Sequence, residues 1–213
     1  MNSNKIKLPH RGAAGLLIAM YLAGFIGLKI TELAPIFRFL TPFNLLASLA
    51  ILFYFQKEWN RNLLIFSTLT LFFGFFVEVF GVKTGVIFGK YLYETLLGFK
   101  ILEVPPVIAC NWLMLIYCVG SFHCKFNQPI YQKVFSGAML LTMLDFLMEP
   151  VAVKLKMWAW ETEQIPIQNY VAWFIISAIL LTVFHLLKFR KDNPISLWLF
   201  ILQILFFGFQ RLI

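Results

Sequence analysis

Seven stretches of the chain are almost entirely apolar: residues 13–30, 40–56, 62–80, 106–123, 134–149, 170–187 and 194–210. Each is long enough, or nearly so, to cross the ~30 Å hydrocarbon core of a bilayer as a helix. In lipid a helix is required, because every backbone polar group needs a partner within its own segment. The pattern predicts an all-α fold, a polytopic transmembrane helix bundle of about seven spans. No repeat, low-complexity tract or linker interrupts it, so residues 1–213 are expected to form a single integral-membrane domain. The first run has a basic flank but no small-residue cleavage site, which predicts a retained first helix rather than a signal peptide.

Composition strengthens this reading. The chain is 61% apolar, 18% aromatic and only 13% charged, whereas soluble domains are about half apolar and about a quarter charged. The net charge of +8 is scattered in ones, twos and threes between apolar runs, as membrane-flanking charges are. No basic block tracks a phosphate backbone, so nucleic acid is excluded as a partner. With the N-terminus inside, ten Lys and Arg fall on the inner side and eight on the outer, a small bias toward that orientation. The expected location is a lipid bilayer, the cell (inner) membrane, crossed several times. Cys110, Cys118 and Cys124 form no CxxC and read as structural thiols.

Alternation of direction in such a bundle brings the C-terminal ends of helices three and five to one side of the membrane, together with the N-terminal ends of four and six. Glu78 closes helix three; Asp145 and Glu149 close helix five; Asn111 and Trp112 open helix four; Asn169 and Trp173 open helix six. The two longest connections, 81–105 and 150–169, lie on that same side and carry Tyr91, Tyr93, Trp158 and Trp160. Asp145 and Glu149 are four apart and share a helix face. Pro150 disfavours helix beyond Glu149. An ionisable group in the apolar core costs about 2.5–3.5 kcal/mol on insertion scales, so three of the chain's ten acids at two neighbouring helix ends are functional candidates. A purely structural alternative pairs Glu78 with Lys83, and Asp145 or Glu149 with Lys154.

The glycines at 81, 85 and 89 fit either small-xxx-small helix packing or an ordered loop or re-entrant turn. GVIFGKY is one residue short of a phosphate-binding P-loop and has Tyr where Ser or Thr is needed. The tryptophans and tyrosines also suit an interfacial aromatic belt. Three histidines, His10, His123 and His185, are too few for a membrane di-iron site, and no GxGxxG follows a strand. No lysine lies in the last helix to hold retinal, and DFLME has no second acidic motif of the kind prenyltransferases use. What remains is chemistry that needs an acid, aromatic faces and water.

Two segments carry a resemblance. EVFGVKTGVIFGKYLYETLLGFKILEVPPVIACNW and TMLDFLMEPVAVKLKMWAWETEQIPIQNYVAWF are similar to the signature regions of carotenoid hydratases in the carotenoid-biosynthesis membrane protein family. The first follows an acid with GVxTGxxFGxYxY, LG and VPxxIxxxW. The second follows D-x-x-x-(E/D)-P-V-A, W-x-W and P-x-x-N-x-x-x-W. The likeness covers about residues 74–175, with Cys110–Asn111 standing where small apolar residues are expected.

The resemblance implies a cofactor-independent enzyme, without metal, that hydrates the terminal C-1′,2′ double bond of an acyclic carotenoid. A carboxylic acid protonates the alkene at its less substituted carbon, and aromatic faces stabilise the tertiary cation. Water then adds while a carboxylate accepts its proton. The acid has to be neutral, and burial in an apolar setting disfavours the charged form. Asp145 is the expected donor, with Glu78 and Glu149 as its electrostatic partners or as groups that position water. Tyr91, Tyr93, Trp112, Trp158, Trp160 and Trp173 are expected to line the substrate site with Asn111, and Asn169 to orient the water. A carotenoid cyclase, or a non-catalytic carotenoid-binding or transport protein, are the competing readings.

Overall fold

The computed structural model describes residues 9–162 and 164–212. Seven helices follow one another: α1 His10–Gly27, α2 Ala34–Tyr54, α3 Arg61–Thr84, α4 Val107–His123, α5 Ile130–Lys154, α6 Ile167–Leu186 and α7 Ser196–Leu212. The chain is thus an all-α membrane helix bundle. Five helices (α1, α2, α3, α5 and α6) are long and apolar enough to cross a membrane, fewer than the seven spans expected from hydropathy. The other two, α4 and α7, have 17 residues each, about 26 Å at 1.5 Å per residue.

Helix α4 is set apart by its surroundings. Fifteen of its residues are buried, and it packs against α2, α3, α5, α6 and α7. A helix apolar on every face belongs in an interior, and here its neighbours replace lipid around it. Helix α2 is its opposite. Only Ser48 and Leu52 are buried along it, and Phe39, Leu40, Phe43 and Leu46 face outward.

Helix α5 continues through Pro150 to Lys154, past the stop expected at Glu149. Proline has no N–H to offer the carbonyl four residues back, which here is that of Phe146. Arg211 of α7 supplies the missing donor: its Nη1 is 2.6 Å from that oxygen, and its guanidinium lies 4.3 Å from the centroid of the Phe146 ring. One arginine therefore satisfies the broken helix and ties α7 to α5.

The two long connections are not irregular. Tyr91–Tyr93 (β1) and Trp158–Trp160 (β2) pair antiparallel, with Tyr91 opposite Trp160, Leu92 opposite Ala159 and Tyr93 opposite Trp158. Glu94 N–H to the Met157 carbonyl (2.9 Å) and Glu161 N–H to the Lys90 carbonyl (3.0 Å) extend the ladder. The glycine question is settled locally. Gly81 lies within α3, Gly85 ends it in the left-handed conformation (φ 67°) with its N–H on the Gly81 carbonyl, and Gly89 (φ 102°) turns the chain into β1. These residues form a helix end and an ordered loop rather than a helix-packing stripe.

A Cβ at Gly89 would stand 2.7 Å from Pro166 Cγ, at a backbone angle side chains rarely adopt. Gly89→Ala is expected to destabilise the protein by about 1–3 kcal/mol. Thermal unfolding in detergent should show it, while Gly15→Ala, with nothing within 4 Å, should leave the midpoint unchanged or higher.

Candidate functional site

The β1–β2 pair explains how the acids are held. Side chains alternate across a strand, so Tyr91, Tyr93, Trp158 and Trp160 share one face and Leu92 and Ala159 the other. That aromatic face lies over the ends of α3 and α5. Tyr91 and Tyr93 each donate a hydroxyl to Glu78 Oε2, at 2.6 and 2.8 Å. Trp158 and Trp160 each donate an indole N–H to Glu149 Oε2, at 3.0 and 2.8 Å. One strand binds one glutamate and the other strand binds the other.

Helices α4 and α6 complete the site. Trp112 Nε1 donates to Glu78 Oε1 at 2.9 Å, and its ring stacks on Trp173 with centroids 4.2 Å apart. Asn169 Nδ2 donates to Asp145 Oδ2 at 2.7 Å and lies 3.3 Å from Glu149 Oε1. All three acids are buried, and Asp145 Oδ1 has no hydrogen-bond partner. Glu78 accepts three bonds, and so does Glu149. Asp145 Oδ1 is the one carboxyl oxygen of the three acids without a partner among the described residues.

These groups surround a cavity of about 30 Å³, enough to hold water, which needs at least ~10–15 Å³ of such space. Ten of the eleven residues singled out from the sequence line it: Glu78, Tyr91, Tyr93, Asn111, Trp112, Glu149, Trp158, Trp160, Asn169 and Trp173. Asp145 is the exception. It is fully buried and joined to the cavity wall through Asn169, which does line it.

No lysine reaches the site. The three salt bridges among the described residues, Lys57–Asp192, Lys90–Glu161 and Arg190–Asp192, involve other groups. The pairing of Glu78 with Lys83, or of Asp145 or Glu149 with Lys154, is not formed: aromatic donors hold the two glutamates and the Asn169 amide holds Asp145. Three lining residues were not anticipated: Phe88, Ile108 and Met148. Phe88 sits inside the glycine segment and packs edge-on against Tyr91 (5.9 Å). The mirrored aromatic-x-aromatic tripeptides YLY and WAW were the legible signal for the strand pair. Among the described residues, no group of three or more His, Cys, Asp or Glu side chains is arranged to hold a metal ion.

A buried acid trio clamped by aromatic donors inside a membrane helix bundle defines a class: a helical membrane protein with an acidic, aromatic-lined pocket. The chain belongs to the carotenoid biosynthesis protein family, whose sequence profile matches residues 39–210. It is also 25% identical over 120 residues to the bisanhydrobacterioruberin hydratase of Haloarcula japonica, an alignment covering 51% of this chain and 40% of that protein. The chain thus spans about two fifths of the length of that relative. No solved structure matches it.

Burial, and then the neighbouring Glu78, hold the Tyr91 and Tyr93 hydroxyls well above the usual tyrosine range near 10. Both phenols therefore bind their protons more tightly folded than unfolded. The stability this confers is fully present below pH ~10 and is lost as pH rises above it. In an alkaline ultraviolet titration, Tyr91→Phe/Tyr93→Phe protein should show no fewer early-ionising phenols than the wild type. A drop of two would mean that the hydroxyls are not buried donors.

Proposed function

We propose that this chain is a cofactor-independent hydratase that adds water across the terminal C-1′,2′ double bond of an acyclic carotenoid, in the inner cell membrane. The observation that carries this is the contrast between its acids. Glu78 stands apart with three neutral donors that favour its charged form, while Asp145 and Glu149 share the Asn169 amide with no cation beside them and leave Asp145 Oδ1 unpartnered among the described residues. Glu78 and Glu149 line the same small cavity, which is large enough to hold water. The family membership and the hydratase relative point the same way.

The Asp145–Glu149 pair holds one proton, and Glu149, the member on the cavity wall, presents it. That replaces Asp145 as the group that touches the substrate. The alkene's C-2′ takes the proton, and the positive charge develops at the tertiary C-1′. Trp112, Trp173 and the aromatic strand face stabilise it, each favourable ring contributing about 2 kcal/mol or more in a desolvated site. Water bonds to C-1′ and gives its proton to Glu78. A second water returns that proton to the pair, which restores the starting state. Asn169 spans Asp145 and Glu149 and sets their separation.

In a host that accumulates lycopene, the protein should yield a pigment heavier by one water. A ringed product of unchanged mass would indicate a cyclase, and unchanged pigment would remove both enzyme readings. General acid catalysis typically contributes 10²–10⁴-fold, so Glu149→Gln and Glu78→Gln should each cost about that much product per folded molecule. Asp145→Asn should cost less, since it retains the bond to Asn169 and removes only a proton-sharing partner. Near-normal turnover in Glu149→Gln, with loss in Asp145→Asn, would return the donor role to Asp145.

Water addition is redox-neutral. Turnover should survive chelators, the absence of nicotinamide and anaerobic conditions. Loss with a chelator, reversed by added metal, would overturn the scheme.

A further inference from the structure

A second, larger cavity lies in the same half of the bundle. It has a volume of about 400 Å³ and is bounded by the C-terminal half of α1, the N-terminal half of α2, the starts of α4 and β2, and the C-terminal half of α7. Its walls are mostly apolar, and none of its lining residues is charged. Ile108, Asn111, Met148 and Trp158 line both this cavity and the acid pocket. The two volumes therefore share a wall.

We propose that this cavity holds the hydrocarbon body of the polyene and admits it sideways from the lipid between α1 and α2. The substrate class rests on the hydratase reading; the existence of an apolar binding channel does not. Three observations support it. The rim residues Ala23, Leu40 and Phe43 are exposed on the outer faces of α1 and α2, so the mouth opens where lipid would be. Helix α2 buries only two residues, which makes it the easiest wall to displace. A charge-free lining suits a neutral hydrocarbon and would leave a phospholipid headgroup unpaired. The neighbouring cavity of about 700 Å³ includes Arg38, Glu94 and Lys156 in its lining and so is not charge-free.

At 400 Å³ the cavity is at the low end of the ~300–1,000 Å³ typical for drug-sized ligands. It accommodates one end of a long polyene, and the remainder extends through the mouth. Asn111 marks the inner limit. It is buried, faces both volumes, and its side-chain amide makes no hydrogen bond to a described residue. That amide opens onto the two cavities rather than being sealed in the packing, so it is placed to receive a group that arrives from outside: the water, or the hydroxyl of the product. Asn111 is thus the positioning residue at the junction.

Gly24 offers a clean test. It lines the cavity, and a Cβ there would meet only the Phe206 ring, at 3.9 Å. Gly24→Leu therefore fills the channel without a backbone clash, and Ala47→Leu fills it from α2. Gly15→Leu adds the same side chain to α1 in open space and is the control. Each variant, purified in detergent from a lycopene-producing host, is read by pigment retained per folded protein and by hydrated product. Both readouts should fall about tenfold in the two cavity variants, the scale of overpacking a fitted site, and stay unchanged in the control. Wild-type retention in both cavity variants, undiminished product in both, or no pigment retained by the wild type would overturn the channel. Retention that depends on the channel, with no hydrated product from the wild type, would remove the hydratase reading and leave the channel standing.

Discussion

The structure turns on how two buried glutamates are solvated without cations. Carboxyl groups at helix ends inside an apolar bundle lose their water, and leaving such groups unpaired is among the most expensive things a fold can do. A lysine partner would offset that loss but would also place a fixed positive charge beside any cation formed in the pocket. This chain uses neutral donors instead. Two phenols and an indole bind Glu78, two indoles bind Glu149, and an amide bridges to Asp145. The same rings that satisfy the acids leave aromatic surfaces facing the cavity, so solvation of the acids and a cation-friendly wall come from one set of residues.

That solution dictates much of the remaining architecture. Four of the donors come from the two long connections, while Trp112 and Asn169 come from α4 and α6. Two loops, each carrying an aromatic-x-aromatic tripeptide, pair as strands so that all four rings fall on one face. Gly85 and Gly89 let the first loop leave α3 and enter that pairing. Gln168, on α6, donates to the Val86 carbonyl and holds the loop down. On the helical side, α4 carries Trp112 into the centre, and Arg211 repairs the carbonyl that Pro150 leaves bare one turn from the acids.

The opposite end of the bundle is built differently. Gln56, Tyr117 and Asn193 form a buried polar network, and Asp192 is paired with Arg190 and Lys57, which hold its carboxyl down at about 2. Here charges are matched by opposite charges at an exposed surface, where water screens them and the contribution to stability is small. The contrast is informative. Ion pairs occur where solvent is present, and aromatic clamps where it is not.

Hydropathy alone determined the class of the fold, because a segment in lipid has no choice but to satisfy its backbone internally. Helix parity also brought Glu78, Asp145, Trp112 and Asn169 to one side, since the direction of each span follows from the one before it. Periodicity could not register that α4 is interior rather than lipid-facing: an apolar helix reads the same in either surrounding, and only its neighbours distinguish them. The helical stop expected at Pro150 fails because the donor that rescues it comes from Arg211, a residue remote in sequence. The strand pairing, the choice of neutral donors over Lys83 and Lys154, and the joining of Asp145 to the cavity wall through Asn169 are likewise tertiary outcomes. Each depends on which of several available partners lies within hydrogen-bonding distance. That distance is set by packing between elements and is not encoded in any local pattern.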